Sequence, residues 1–211
     1  EAVRREGSDR AESRLNALGG ELGTPETIAL GFAANRNPPQ LKAFDSYGHR
    51  IDEIEFHPAW HALMTLALKA GLHSSPWADP KPGAHVARAA GCYMLGQIEA
   101  GALCPLAMTY GSVPTLQQNR DIAKEWLPRI FSHHYDPHFR PAREKTSALI
   151  GMGMTEKQGG SDLRTNTTRA ELSADGGYRL FGHKWFMSAP MCDAFLVLAQ
   201  APGGLTCFLL P

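Results

Sequence analysis

The residues best suited to chemistry lie in GMGMTEKQGGSDLRTNTTRA, residues 151–170, and in GHKWFMSAP, residues 182–190. In the first stretch Gly159 and Gly160 carry no Cβ, so a ligand can come close to the backbone N–H groups. Ser161 adds a hydroxyl donor beside them, a combination that suits a pyrophosphate. Thr155, at the end of the preceding strand, offers another hydroxyl, suited to the polar rim of a flat heterocycle. Taken alone, this stretch reads better as a glycine-bearing hairpin loop capped by Ser161 and Asp162. The second stretch changes the balance. Two large aromatics, Trp185 and Phe186, are followed by the small hydroxyl residue Ser188, which sets a ring face beside hydrogen-bond donors. That is what an isoalloxazine ring requires.

Competing chemistry fails on context. GMGMTE begins like a dinucleotide fingerprint, but Glu156 stands where Gly or Ala is needed, and the following residues read as strand instead of helix. Neither GxxxxGK[ST] nor GxSxG occurs. His57 and His61 are spaced for a metal but lack the Glu of HExxH. His133, His134 and His138 cluster in SHHYDPH, interrupted by Pro137 and with no cysteine nearby, so both groups read as ordinary surface or core histidines and no metal is expected.

Two kinds of element must position these stretches. Residues 1–147 read mostly as helix. DRAESRLNALGGEL places Ala11, Leu15 and Leu18 at helical spacing, with Gly19-Gly20 as its expected end. NRNPPQLKAFDSYGHR reads as loop, with a turn at Tyr47-Gly48. HPAWHALMTLALKAGL reads as a helix opened by Pro58 and stopped by Gly71, and SSPWADPKPGA as loop. The apolar run from Ala84 predicts a buried helix to about Ala100, then a shorter one ending before Pro114. NRDIAKEWLPRIFSHH is amphipathic through Ile122, Trp126 and Ile130, and Pro128 should kink it or end it. Beyond Lys145 the period becomes two. TSALIGMGMT, RTNTTRAEL, YRLFGHKWFMS, AFLVLAQ and TCFLLP read as strands, with turns at SADGGY and APGG, and with Thr168, Ala170 and Leu172 on one side. The expected fold class is therefore α+β: an N-terminal α-helical domain, 1–147, followed by part of an antiparallel β domain, 148–211.

The chain has 211 residues, 43% of them hydrophobic, enough for one large domain or two modest ones with a core. Lys and Arg number 21, and so do Asp and Glu, so net charge gives no reason to expect an electrostatic grip on nucleic acid or anionic membrane. No apolar run is long enough to predict a transmembrane helix, and the charged N-terminus EAVRREGSDRAESRL has no signal-peptide core. Cys92, Cys104, Cys192 and Cys207 form no CxxC pair and read as free thiols, as in a reducing cytoplasm. Pro211 follows a strand directly, where a meander would normally continue, so the chain is expected to be the N-terminal portion of a longer protein.

MTEKQGGSD followed by GHKWFMSAP resembles the flavin-binding signature of the acyl-CoA dehydrogenase family, in which most members carry TEP-x-x-GSD and then G-x-K-x-(W/F)-I-(T/S). Lys157 stands here where proline is usual. NRNPPQLKAFDSYGHRIDEIEFHPAWHALM and CPLAMTYGSVPTL extend the resemblance to the AidB-like branch, associated with the adaptive response to DNA alkylation, over nearly the whole chain. The resemblance implies a helical domain, a middle β domain and a C-terminal helix bundle absent from this chain, with FAD held between the last two. It implies that Met152, Gly153, Met154, Thr155, Glu156, Lys157, Gln158, Gly159, Gly160 and Ser161 line the flavin and pyrophosphate. Thr155 would bond the isoalloxazine, and Ser161 a phosphate and also the acyl-CoA substrate, while Phe186, Met187 and Ser188 form the second flavin contact. The implied reaction is α,β-dehydrogenation of an acyl-CoA thioester. A carboxylate takes the α-proton as hydride leaves the β-carbon for the flavin. The catalytic base is expected beyond Pro211, and Glu156 belongs to the loop. The alternative function is a flavin-containing DNA-binding protein protecting against alkylation damage, contacting double-stranded DNA through the C-terminal part. A cytoplasmic homo-oligomer, a homotetramer, is also implied, with no membrane partner.

Overall fold

The computed structural model describes residues 1–7 and 11–211 of the chain. They divide into two compact units, Glu1–Ala148 and Leu149–Pro211.

The first unit is built on helices α1 (Ala2–Glu6), α2 (Glu12–Leu22), α3 (Pro25–Arg36), α4 (Pro58–Lys69), α5 (Ser75–Ala78), α6 (Ala84–Gly96), α7 (Leu103–Leu116) and α8 (Arg120–Ile130). Local chemistry starts and stops them. Pro58 opens α4 where its missing N–H is harmless, and His57 Nδ1 accepts from Ala59 N at 3.1 Å. Gly71, at φ +69, closes α4: Gly71 N donates to Leu68 O and Leu72 N to Ala67 O, a Schellman ending. Asn119 caps α8 by accepting from Asp121 N and Ile122 N. The core collects Leu63, Met64 and Leu68 of α4, Leu95 of α6, Leu106 and Val113 of α7, and Ile130 of α8.

Several local expectations are corrected. Gly19-Gly20 do not end α2, which runs to Leu22 with Gly23 behind it, although Asp9 and Arg10 of that segment lie outside the described residues. Leu18 and Leu22 are both buried, and their packing outweighs the cost of two helical glycines, about 1 kcal/mol each. Residues 40–55 are not loop. They form the antiparallel hairpin β1 (Gln40–Phe44) and β2 (Arg50–Glu55), with Gln40 opposite Glu55. Both strands are largely exposed, so no hydrophobic alternation marked them; the Asp45 carboxylate, accepting from Tyr47 N and His49 N, organises the turn. Ser75–Ala78 is a short helix. Pro114 and Pro128 lie inside α7 and α8, each in the last turn, and each helix ends two residues later. A proline near the C-terminal end leaves few further turns to disturb.

The second unit is a five-stranded sheet of β3 (Ile150–Gly153), β4 (Arg169–Leu172), β5 (Tyr178–Phe181), β6 (Ala194–Ala201) and β7 (Gly204–Leu210). The α+β class holds, but the sheet is mixed. β4 pairs β5, and β6 pairs β7, antiparallel; β3 and β4 both run parallel to β6. The antiparallel expectation took successive strands as neighbours. Residues 154–193 instead carry the chain back to the end from which β3 started, and β4–β5 is a hairpin within that excursion. Core-facing Ala194, Leu196, Val197 and Ala199 make β6 the buried centre. Leu172 is 70% exposed, so the buried side is Ala170 of β4 and Thr168 just before it. The cysteines are free, and only Cys192 is fully buried. Among the described residues no helix is long and apolar enough to cross a membrane.

Candidate functional site

The loop after β3 is organised by one carboxylate. Glu156 is 2% exposed, and its oxygens accept from Lys184 Nζ at 2.8 Å, Thr167 N at 2.7 Å, Thr167 Oγ1 at 2.9 Å, Thr168 N at 2.9 Å and Gln158 Nε2 at 2.7 Å. Burial pushes the acid up, but Lys184 and the other donors outweigh it and hold the carboxyl far below the usual range. So charged and so saturated, Glu156 is a poor proton acceptor. Its carboxylate joins the residues after β3 to the residues before β4 and to the lysine of GHKWFMSAP.

The two stretches singled out from sequence therefore meet. Trp185 N donates to Thr155 O at 2.9 Å, beside the Lys184–Glu156 pair. Met187 reaches Gly153, where a Cβ would lie 2.3 Å from its sulfur. Gly182, at the head of the second stretch, lies against Thr168, whose hydroxyl would be 2.3 Å from an added Cβ. Asn166 Nδ2 donates to Met154 O, and Gln200 ties in Asn166 O and Thr168 O.

Most of the glycines make close contacts inside the fold. Gly151 makes room for the ring of Phe195, its neighbour across the β3–β6 ladder, and Gly153 for Met187. Gly160 lies under Thr155, whose Oγ1 would be 2.6 Å from a Cβ. Gly159, at φ +154 with open space around it, closes the tight turn in which it and Glu156 exchange backbone hydrogen bonds. Met152, Met154 and Thr155 are half-buried; Lys157, Gln158 and Ser161 are exposed. Beyond Ser161, Asp162 caps a 3-10 turn and pairs with Arg164 at 2.8 Å.

In the second stretch Trp185 is 50% and Phe186 75% exposed, and Ser188 is half-buried. Phe186 has φ +64 and Ala189 φ +54. A bulky side chain in the left-handed region is a strained placement, held only where flanking contacts over-determine it. Sequence reasoning missed Lys184, Gly182, Asn166 and Thr168 as parts of the same cluster. The signal available was a lysine directly before the two aromatics of the same stretch.

Four of the five histidines of metal-like spacing have other side-chain partners. His57 caps α4, His61 Nδ1 lies 3.0 Å from Tyr135 OH, His133 Nδ1 bonds Lys69 O, and His138 pairs with Asp136 at 2.7 Å.

Residues 1–137 match the adaptive response protein AidB N-terminal domain, and residues 151–211 the acyl-CoA dehydrogenase middle domain. The chain belongs to the acyl-CoA dehydrogenase family, in its AidB-like branch. It is 50% identical to AidB of Escherichia coli (strain K12) over 100% of this chain and 39% of that protein. It is 30% identical to acyl-CoA dehydrogenase family member 11 of Caenorhabditis elegans over 90% of this chain and 31% of that protein. The crystal structure of C. elegans ACDH-11 in complex with C11-CoA superposes with a TM-score of 0.81 at 28% identity, covering 99% of this chain and 37% of that one. An acyl-CoA dehydrogenase complexed with FAD from Bacillus anthracis shares the fold, with a TM-score of 0.65 at 18% identity, over 97% of this chain and 31% of that one. The chain thus spans less than half the length of these relatives. Lys157, which stands where the family signature has proline, is exposed in the Glu156–Gly159 turn, a position that tolerates a charged side chain.

Proposed function

We propose that this chain supplies the flavin-contacting edge of an FAD-dependent acyl-CoA dehydrogenase-like oxidoreductase. Residues 1–147 would be its N-terminal helical domain and 148–211 the first part of the FAD-binding middle domain. The observation that carries the reading is the joining of the Thr155 loop to the Trp185–Phe186 segment by the Trp185 N to Thr155 O bond. It sets exposed aromatic surface next to a turn with open space at Gly159 and an exposed hydroxyl at Ser161. These are the contacts a flat heterocycle with a phosphate tail needs.

FAD, when bound, accepts the hydride lost from the acyl β-carbon. The chain's own residues orient and shield. The run Met152–Ser161 would line the cofactor, with Thr155 offering a hydroxyl to the heterocycle and Ser161 one to a phosphate or the acyl-CoA. Phe186, Met187 and Ser188 would supply the second contact, the Phe186 ring covering one side from water. None of these groups is a general base, and Glu156 is spent on internal donors. The relative crystallised with C11-CoA supports an acyl-CoA thioester as the substrate class.

The test is spectroscopic. The full-length protein, saturated with cofactor, should be yellow with a flavin absorbance, and saturated acyl-CoA thioesters should bleach that band without oxygen. A colourless protein that takes up no added FAD would sink the reading.

A further inference from the structure

We propose that Glu156 and Lys184 are a positioning pair that holds the exposed Trp185 and Phe186 rings in place, Phe186 on a left-handed backbone. The inference rests on the flavoprotein reading for its purpose and on geometry for its substance.

The pair is deeply buried, with side-chain exposures of 8% for Lys184 and 1% for Glu156. A buried ion pair does little better than apolar packing of the same volume, so stability alone is a weak reason to have one. What it does here is directional. Lys184 is drawn inward and the next residue, Trp185, is held by its N–H on Thr155 O at 2.9 Å. Met187 is seated at Gly153, in a space that a Cβ there would fill. Phe186 lies between these anchors at φ +64 and is 75% exposed. Its own burial does not compensate that backbone; the anchors on both sides impose it. A strained aromatic facing outward beside a loop is arranged for something outside the fold to contact.

The test uses the full-length protein with Glu156→Gln/Lys184→Met, which removes both charges and keeps one amide oxygen as acceptor for the buried Thr168 amide. Hydrogen exchange of the cofactor-free protein is read over residues 183–190, with β6 as internal reference. We expect at least about tenfold faster exchange in 183–190 with β6 unchanged, a melting temperature near wild type, at least about tenfold weaker FAD binding, and an altered visible circular dichroism of the residual bound flavin. Unchanged exchange in 183–190, or wild-type FAD affinity and dichroism, would overturn the positioning role. If wild type takes up no FAD yet exchange in the variant rises, the flavoprotein reading fails and the positioning role stands. Phe186→Gly gives a second check that does not break the pair. Relief of the positive φ should hold or raise the melting temperature while FAD binding weakens. Undiminished FAD affinity in that variant would likewise overturn the proposal.

Discussion

Asp136 and Glu156, one in each unit, are buried carboxylates paired with basic side chains, and they are held differently. Asp136, in the loop after α8, is 4% exposed and accepts from His138 Nδ1 at 2.7 Å, Arg140 Nη2 at 3.0 Å and Thr146 N at 3.1 Å. All of the carboxylate's partners lie within ten residues, and its two basic side chains reach in from solvent: His138 is 69% and Arg140 40% exposed. Glu156 takes its cation from 28 residues away, and that cation is itself 8% exposed. Burial pushes both acids up, and hydrogen bonds to partners hold both well below the ordinary range. The depressed acidity is therefore no guide to function by itself. The difference lies in what is fastened: a local bend at Asp136, and at Glu156 two distant stretches that carry exposed aromatics.

The largest expected effect comes from removing the buried cation. Lys184→Ala leaves Glu156 charged and uncompensated, which costs about 3–5 kcal/mol in other buried pairs. Denaturant unfolding should show the β unit losing most of its stability. A loss below about 1 kcal/mol would mean that water reaches Glu156 and that the two acids are alike after all.

His73 offers a third solution, a buried base without a counter-charge. It is fully buried, and burial lowers its pKa from 6.5 to about 4 despite the hydrogen bond from Nε2 to Ser132 O. Between those values the unfolded chain binds a proton that the folded chain does not. Stability from this group is therefore full above about pH 6.5 and falls as pH drops toward 4, by about 3 kcal/mol in all. The two acids act lower: their contribution is present above the ordinary carboxyl values of 4.5 and 3.8 and is lost as pH falls below them. His73→Gln should flatten the pH dependence of unfolding between 6.5 and 4 and leave the steeper acid limb in place. An unchanged slope in that window would show that His73 is solvated.

Asp136→Asn should cost less, about 1–2 kcal/mol, because one amide oxygen still accepts and the exposed donors left behind can turn to water. Thermal melting of the helical unit reads it. A loss as large as that from Lys184→Ala would erase the distinction between the two regions.

How much of this was readable beforehand follows the same contrast. Helices α4 and α8 announce themselves by period, Pro58, Gly71 and an Asn cap, because each signal acts within a few residues. The paired motifs were legible as chemistry because aromatics, hydroxyls and glycines are distinctive side chains. The hairpin at 40–55 was not, since its strands bury too little to alternate. Nor was the parallel pairing of β3 with β6, which depends on how residues 154–193 return. Glu156 looked like an ordinary loop residue; only its long-range partner reveals it as the hub. The packing of Gly153 against Met187 and of Gly160 against Thr155 was not legible either, since both neighbours depend on how the chain folds back.

The smallest effect sharpens the comparison from its other side. Arg140→Ala removes the guanidinium from Asp136, as Lys184→Ala removes the ammonium from Glu156. Yet Arg140 is 40% exposed, so solvent screens the pair and its ordering costs side-chain entropy. Asp136 would also keep His138 Nδ1 and the amides of His138 and Thr146 as donors. The expected loss is about 0.2–1 kcal/mol, and it should shrink further at high salt. Paired unfolding curves at low and high ionic strength measure it. A loss of several kcal/mol, insensitive to salt, would show that Asp136 depends on its arginine as Glu156 depends on its lysine, and sequence separation would then have no bearing on how a buried acid is held.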